Sequence, residues 1–97
     1  MLELGKAMAD GEAKYGRFNW RDRSITASVY YDAMMRHMLA YWDGENVASD
    51  SGAHHLGHVM ACCAILLDAA RTGSLDDDRR EDGPAAARIA EMSATTD

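Results

Sequence analysis

Between residues 14 and 58 the chain carries Lys14-Tyr15-Gly16-Arg17-Phe18-Asn19-Trp20-Arg21, then Arg36-His37, Gly44-Glu45, Asp50-Ser51-Gly52 and His55-Leu56-x-His58. Ammonium, guanidinium, amide, aromatic, carboxylate and imidazole groups are thus concentrated in less than half of 97 residues. On a helix, His55 and His58 share one side, which makes a metal half-site; His54 with His58 is geometrically as good. Imidazoles alone do not close such a site. Glu45 and Asp50, in the connection leading into the same helix, supply the carboxylates, and His37 can meet them from the preceding helix. The candidate metal ligands are therefore Glu45 and Asp50 with His58 and either His55 or His54. The plainer alternative has Asp50 capping the helix, Glu45 solvated and the histidines bonded to backbone.

The segment from Tyr15 to Arg21 offers different chemistry. Arg17 and Arg21 can grip phosphate oxygens in bidentate fashion, and Lys14 adds a compact charge. Asn19 has the donors and acceptors to read a base edge, while Tyr15, Phe18 and Trp20 present faces for stacking. The alternative is a loop pinned to the body by Trp20 and Phe18, with its cations in water. No phosphate-cradling glycine loop and no serine or cysteine nucleophile motif is visible.

The elements that must position these groups are helical. Met1 to Ala9 reads as a weak first helix and Gly11 to Arg23 as an irregular loop, broken by Gly11 and Gly16. Ser24 is a candidate cap for a helix from about Ile25 to Trp42, whose apolar residues recur every three or four positions. Gly44 ends it. A polar connection follows, and Asp50 or Ser51 caps a third helix from about Gly52 to Ala70, stopped by Gly73. The predicted fold class is all-α, a small helical bundle built on an antiparallel helix hairpin and completed by oligomerisation, with no β-strand of useful length. Residues 1–73 form the domain. Residues 74–97 are expected to be a charged, solvated linker, a short helix over Pro84 to Met92, and a frayed end.

Composition narrows the partners. A net charge of -6 argues against duplex nucleic acid, because phosphate neutralisation by Lys and Arg dominates that affinity. Lys14, Arg17, Arg21, Arg23 and Arg36 nevertheless cluster in the first half, so a local pocket for a small anion fits. No run approaches the ~20 apolar residues needed to span a bilayer, and no secretory signal is evident, so the expected location is cytoplasmic. Adjacent Cys62 and Cys63 match no metal or redox spacing and read as buried, reduced thiols. Seven methionines point to an adaptable apolar surface and self-association.

The ordered combination Lys14-Tyr15-Gly16-x-x-Asn19-Trp20-Arg21, Tyr31-x-Ala33-x-x-Arg36-His37, Gly44-Glu45 and Ser51-Gly52-x-x-His55-Leu56-x-His58 resembles the phage-associated dATP/dGTP diphosphohydrolase N-terminal domain family, over roughly Leu4 to Asp68. That family looks like a branch of the all-α, MazG-like nucleotide pyrophosphohydrolases. The resemblance implies Mg²⁺- or Mn²⁺-dependent hydrolysis of dGTP or dATP to monophosphate and pyrophosphate, by a homo-oligomer (dimer or tetramer), in the bacterial host cytoplasm. It places Glu45, Asp50 and Arg36 in catalysis, Glu45, Asp50, His55 and His58 on the metal, and Lys14, Arg17, Asn19, Trp20, Arg21 and His37 on the nucleotide. Ala48 and Cys62 stand where the family pattern usually has an acid and an asparagine. The alternative functions are a non-catalytic nucleotide-binding module and a helical oligomerisation module.

Overall fold

In the computed structural model, every residue is described except Asp82 and Asp97, together with the side chains of Thr95 and Thr96. Five helices and one two-stranded sheet follow one another as α1 (Leu2–Tyr15), α2 (Asn19–Asp22), β1 (Ile25–Thr26), α3 (Ala27–Trp42), α4 (His55–Thr72), β2 (Leu75–Asp76) and α5 (Ala85–Thr96). The all-α reading holds, with a minimal strand pair added.

Tyr41 meets His54, His37 meets His58, and Met34 meets Cys63 as one helix is read forwards and the other backwards. Helices α3 and α4 are therefore the antiparallel hairpin that the apolar spacing predicts. Helix α1 lies across α4, with Leu4, Ala7 and Met8 packed on Ala53 and Ala61. The two backbones nearly touch there: a Cβ on Gly57 would stand 2.4 Å from the Glu3 carbonyl oxygen. Small residues at this crossing let α1 continue through Gly11, which the sequence reading takes as a break. It ends at Gly16, where φ is 91° and the amide donates to the Glu12 carbonyl at 2.9 Å.

Four further expectations change. Residues 74–78 are tied to the body, although 76–78 stay exposed: β2 pairs in parallel with β1, Ile25 opposite Leu75 and Thr26 opposite Asp76. The cap of α3 comes from this segment instead of Ser24, since the Ser28 amide donates to Asp78 Oδ1 at 2.9 Å. Helix α4 starts at His55, and its cap is the His54 ring, whose Nδ1 accepts from the Leu56 amide at 3.0 Å. Helix α5 runs to Thr96, beyond the expected end at Met92, while the expected frayed end includes Asp97, outside the described residues.

The buried residues are small: Ala7, Ala27, Ala48, Ala53, Ala61 and Ala69, joined by Ile25 and His55. Among the described residues no large side chain is completely buried. No helix among them is long and apolar enough to cross a membrane.

Candidate active site

A cleft of about 960 Å³ opens between α1, the turn into α2, one side of α3, the connection before α4, and the start of α4. That is at the upper end of the ~300–1,000 Å³ range of small-molecule sites. Its wall includes Lys14, Arg17, Asn19, Trp20, Arg36, His37, Glu45, Asp50, His55 and His58. Of the residues assigned to catalysis, metal or nucleotide, only Arg21 is missing; His54, the alternative metal ligand, is outside the wall too.

At one end the imidazoles form a chain. His55, 5% exposed, places Nε2 2.6 Å from Glu45 Oε1 and Nδ1 2.8 Å from His37 Nδ1. A carboxylate only accepts, so in the neutral His55 ring the proton sits on Nε2 and the Nδ1 lone pair faces His37. His37 then donates from Nδ1 and keeps its own lone pair on Nε2. His37 also stacks on His58, with ring centroids 4.4 Å apart and planes at 11°. Ser51 Oγ accepts the Ala53 amide at 3.2 Å and lies in hydrogen-bond contact with His58 Nε2 at 2.7 Å, the donor there being set by the His58 tautomer. Burial pushes the pKa values of His37 and His58 down; the neighbouring His58 and His55 rings add to the effect on His37. Both rings are therefore neutral near pH 7.

The expected metal set is only partly assembled. Glu45 and His55 are in contact, His58 is turned to Ser51, and Asp50 points out to Lys14 at 3.7 Å. His37 takes the place beside His55 that Asp50 was expected to fill. As the donors stand, no three or more His, Cys, Asp and Glu among the described residues are arranged to hold a metal ion.

The cations at the other end are paired. Lys14 lies 3.0 Å from Asp10, whose hydrogen bond raises the lysine pKa, and Arg17 Nε lies 3.2 Å from Glu12. Arg36 lines the cleft and takes part in none of the ion pairs found among the described residues. Asn19 hydrogen-bonds the Tyr30 hydroxyl, whose pKa burial pushes up. Phe18, a non-glycine residue at φ 56°, turns the chain into α2 and meets Trp20 edge-on at 5.7 Å. Left-handed backbone of that kind costs on the order of 1 kcal/mol.

Arg21 corrects the sequence reading. Its guanidinium grips Asp68 through Nε and Nη2 at 2.7 and 2.8 Å, and Trp20 Nε1 donates to the same carboxylate at 2.7 Å. The Arg21 hydrogen bonds hold the Asp68 pKa down at about 2. Arg21 thus fastens α2 to α4 and is spent there, while Trp20 serves both as a rivet and as part of the cleft wall. Asp68 was missed, although a lone acid inside the apolar stretch of α4 signals a partner. Asp10, Glu12 and Tyr30 were missed as well, and no motif marks them; Ser51, read as a cap and as part of the Ser-Gly motif, holds His58 instead.

The dATP/dGTP diphosphohydrolase, N-terminal family matches residues 1–79. A dATP/dGTP diphosphohydrolase of Salmonella phage PMBT28 is 31% identical over 78 residues, which cover 80% of this chain and 26% of that protein. The chain therefore spans about a quarter of the length of this curated relative. No solved structure matches the chain.

Proposed function

Since the chain belongs to the dATP/dGTP diphosphohydrolase N-terminal family, we propose that its cleft takes a purine deoxynucleoside triphosphate, dATP or dGTP, and hydrolyses it to the monophosphate and pyrophosphate. The observation that carries this reading is the division of one cleft into two ends. A carboxylate–imidazole chain occupies one; cations, an amide and aromatic faces occupy the other. A triphosphate needs positive charge along its oxygens, a stacking face and amide for the base, and a basic group beside the phosphorus attacked.

In this reading Lys14, Arg17 and Arg36 hold the phosphates, while Trp20 and Phe18 flank the base and Asn19, oriented by Tyr30, meets its edge. Water attacks the α-phosphorus, the bond to the bridging oxygen breaks, and pyrophosphate leaves. Glu45 Oε1 is engaged by His55, which fixes the carboxylate so that Oε2 orients the water and accepts its proton. His58, anchored by Ser51, keeps the His37 ring in place by stacking.

The half-exposed carboxylate of Glu45 suits a hard divalent ion, and burial keeps the nearby His37 ring neutral, so no imidazolium repels the ion from that side. Mg²⁺ or Mn²⁺ would be held by Glu45 through its carboxylate, with His55 keeping its hydrogen bond to Oε1. When bound, it supplies charge to the phosphate oxygens and acidifies water. The test is pyrophosphate release from dATP and dGTP with Mg²⁺ or Mn²⁺. Release above a Glu45→Gln control supports the reading, and no release from any common triphosphate ends it. If nucleotide raises the melting temperature while no product forms, a binding module is left.

A further inference from the structure

A single hydrogen decides how the imidazole end of the cleft is wired. His37 on α3 and His55 on α4 bring their Nδ1 atoms to 2.8 Å, and two ring nitrogens that close share one hydrogen. The other nitrogen of His55 lies 2.6 Å from Glu45 Oε1. If a neutral His55 ring carried the shared hydrogen, its Nε2 would turn a lone pair on the carboxylate. If His37 carries it, His55 keeps Nε2–H for Glu45. The two contacts are therefore coupled: a donor on α3 selects the tautomer of a ring on α4, and that tautomer supplies the bond to the carboxylate.

The carboxylate depends on this selection. Glu45 is 56% exposed, and among the described residues His55 is the one partner its carboxylate has. The backbones are already held, since the Glu45 amide donates to the Ala40 carbonyl at 3.0 Å and the His55 amide to the Asn46 carbonyl at 2.9 Å. What is left to fix is the turn of the Glu45 side chain. His55 is buried, so water has little room to replace His37 at Nδ1. His37 is itself held flat against the His58 ring, which Ser51 anchors.

We infer that His37 is a positioning residue for Glu45, acting through the tautomer of His55. Its Nδ1–H donates to His55 Nδ1, His55 Nε2–H donates to Glu45 Oε1, and Oε2 is left as the free oxygen of a carboxylate that no longer turns. The resemblance puts His37 on the nucleotide; the geometry gives it this other task. A partner on the far nitrogen is a general means of holding an imidazole in its working form. The consequence for catalysis rests on the proposed hydrolysis, whereas the tautomers do not.

Long-range proton–nitrogen spectra of the ¹⁵N-labelled full chain, near pH 7 and without ligand, test the tautomers. His55 should carry its hydrogen on Nε2 and His37 on Nδ1. His37→Leu has no donor, so His55 should divide between both forms. His37→Asn, whose amide nitrogen falls near the place of Nδ1, should restore one. In pyrophosphate release, His37→Leu should lower kcat about 10–100-fold with KM changed less than about threefold, and His37→Asn should recover most of the loss. The deciding background is His55→Gln, whose amide nitrogen falls near the place of Nε2 and donates to Glu45 with no tautomer to choose. There His37→Leu should cost no more than about threefold further in kcat. Circular dichroism checks that each variant stays helical. An undiminished loss in that background overturns the inference, as does a wild-type His55 that carries hydrogen on Nδ1. A wild type that releases no pyrophosphate ends the hydrolytic reading, and the spectra then decide this one.

Discussion

The α1–α4 crossing makes opposite demands on two helical glycines, and the prediction is a difference in sign. In an ordinary exposed helix, replacing Gly by Ala stabilises by roughly 0.5–1 kcal/mol. Gly11, half-buried in the cleft wall, has the room for it: a Cβ added there finds nothing within 4 Å. At Gly57 the added carbon lies 2.4 Å from the Glu3 carbonyl oxygen and 2.8 Å from its carbon. Both are backbone atoms, so no side chain can swing aside. Ordinary contact begins at 3.4 Å, so α1 must retreat by about 1 Å. Overpacking of this kind costs ~1–3 kcal/mol, which exceeds the propensity gain. Gly11→Ala should therefore stabilise by about 0.5–1 kcal/mol, and Gly57→Ala should destabilise by about 1 kcal/mol or more. Urea titrations at one protein concentration measure both. The displacement also reaches the cleft, because α1 carries Asp10 and Lys14 into its wall; misplacement by ~1 Å can cost up to about a hundredfold in rate. Equal stability of the two variants would refute this account of the crossing.

Glu45→Gln keeps an acceptor for His55 but removes the base; pyrophosphate release should fall by about 10²–10⁴, while the melting shift with nucleotide persists. Removing divalent ions with a chelator should abolish release, and Mn²⁺ should restore it, as a discontinuous pyrophosphate assay will show. Asp68→Asn should lower the urea midpoint at pH 7 by loosening α2 from α4. Because the Asp68 pKa is depressed to about 2 in the folded chain, its contribution is complete above the unfolded value of ~3.9 and is lost as pH falls through about 2. The gap between wild type and variant should therefore narrow between pH 4 and pH 2.

What the sequence makes legible is what repeats over short distances. The α3–α4 hairpin follows from apolar residues every three or four positions, and Gly73, at φ 81°, ends α4 where a left-handed residue was expected. What it hides depends on partners far along the chain. Gly11 looks like a break because its local cost is visible, whereas the close approach at Gly57 that lets α1 run past it is not. The Asp78 cap comes from 50 residues beyond Ser28, and Asp68 is 47 residues beyond Arg21. Arg21 looks the same in sequence whether it meets a phosphate or a carboxylate. The cleft residues were legible as a group because their chemistry is unusual together. Their pairing was not: Asp50 and His37 exchange the places expected of them, since the Ser51–His58 and Lys14–Asp50 contacts are settled only in three dimensions.

The cleft contains its own anions, and this bears on how an acidic chain handles an acidic ligand. Lys14 is held by Asp10 and Asp50, and Arg17 by Glu12, so a triphosphate must displace carboxylates from both before those cations serve it. These pairs are solvent-exposed, where such contacts are each worth only ~0–1 kcal/mol, so displacement costs little. The carboxylates released at that moment lie beside the arriving phosphates and repel them unless a cation enters as well. Arg36, paired with no acid among the described residues, is one cation within reach of the cleft, and a divalent ion carried by the nucleotide is another. Phosphate and divalent ion should therefore bind this cleft together more strongly than either does alone. On the proposed function, the same carboxylates that weaken the free cations should favour an ion-loaded triphosphate over a bare anion.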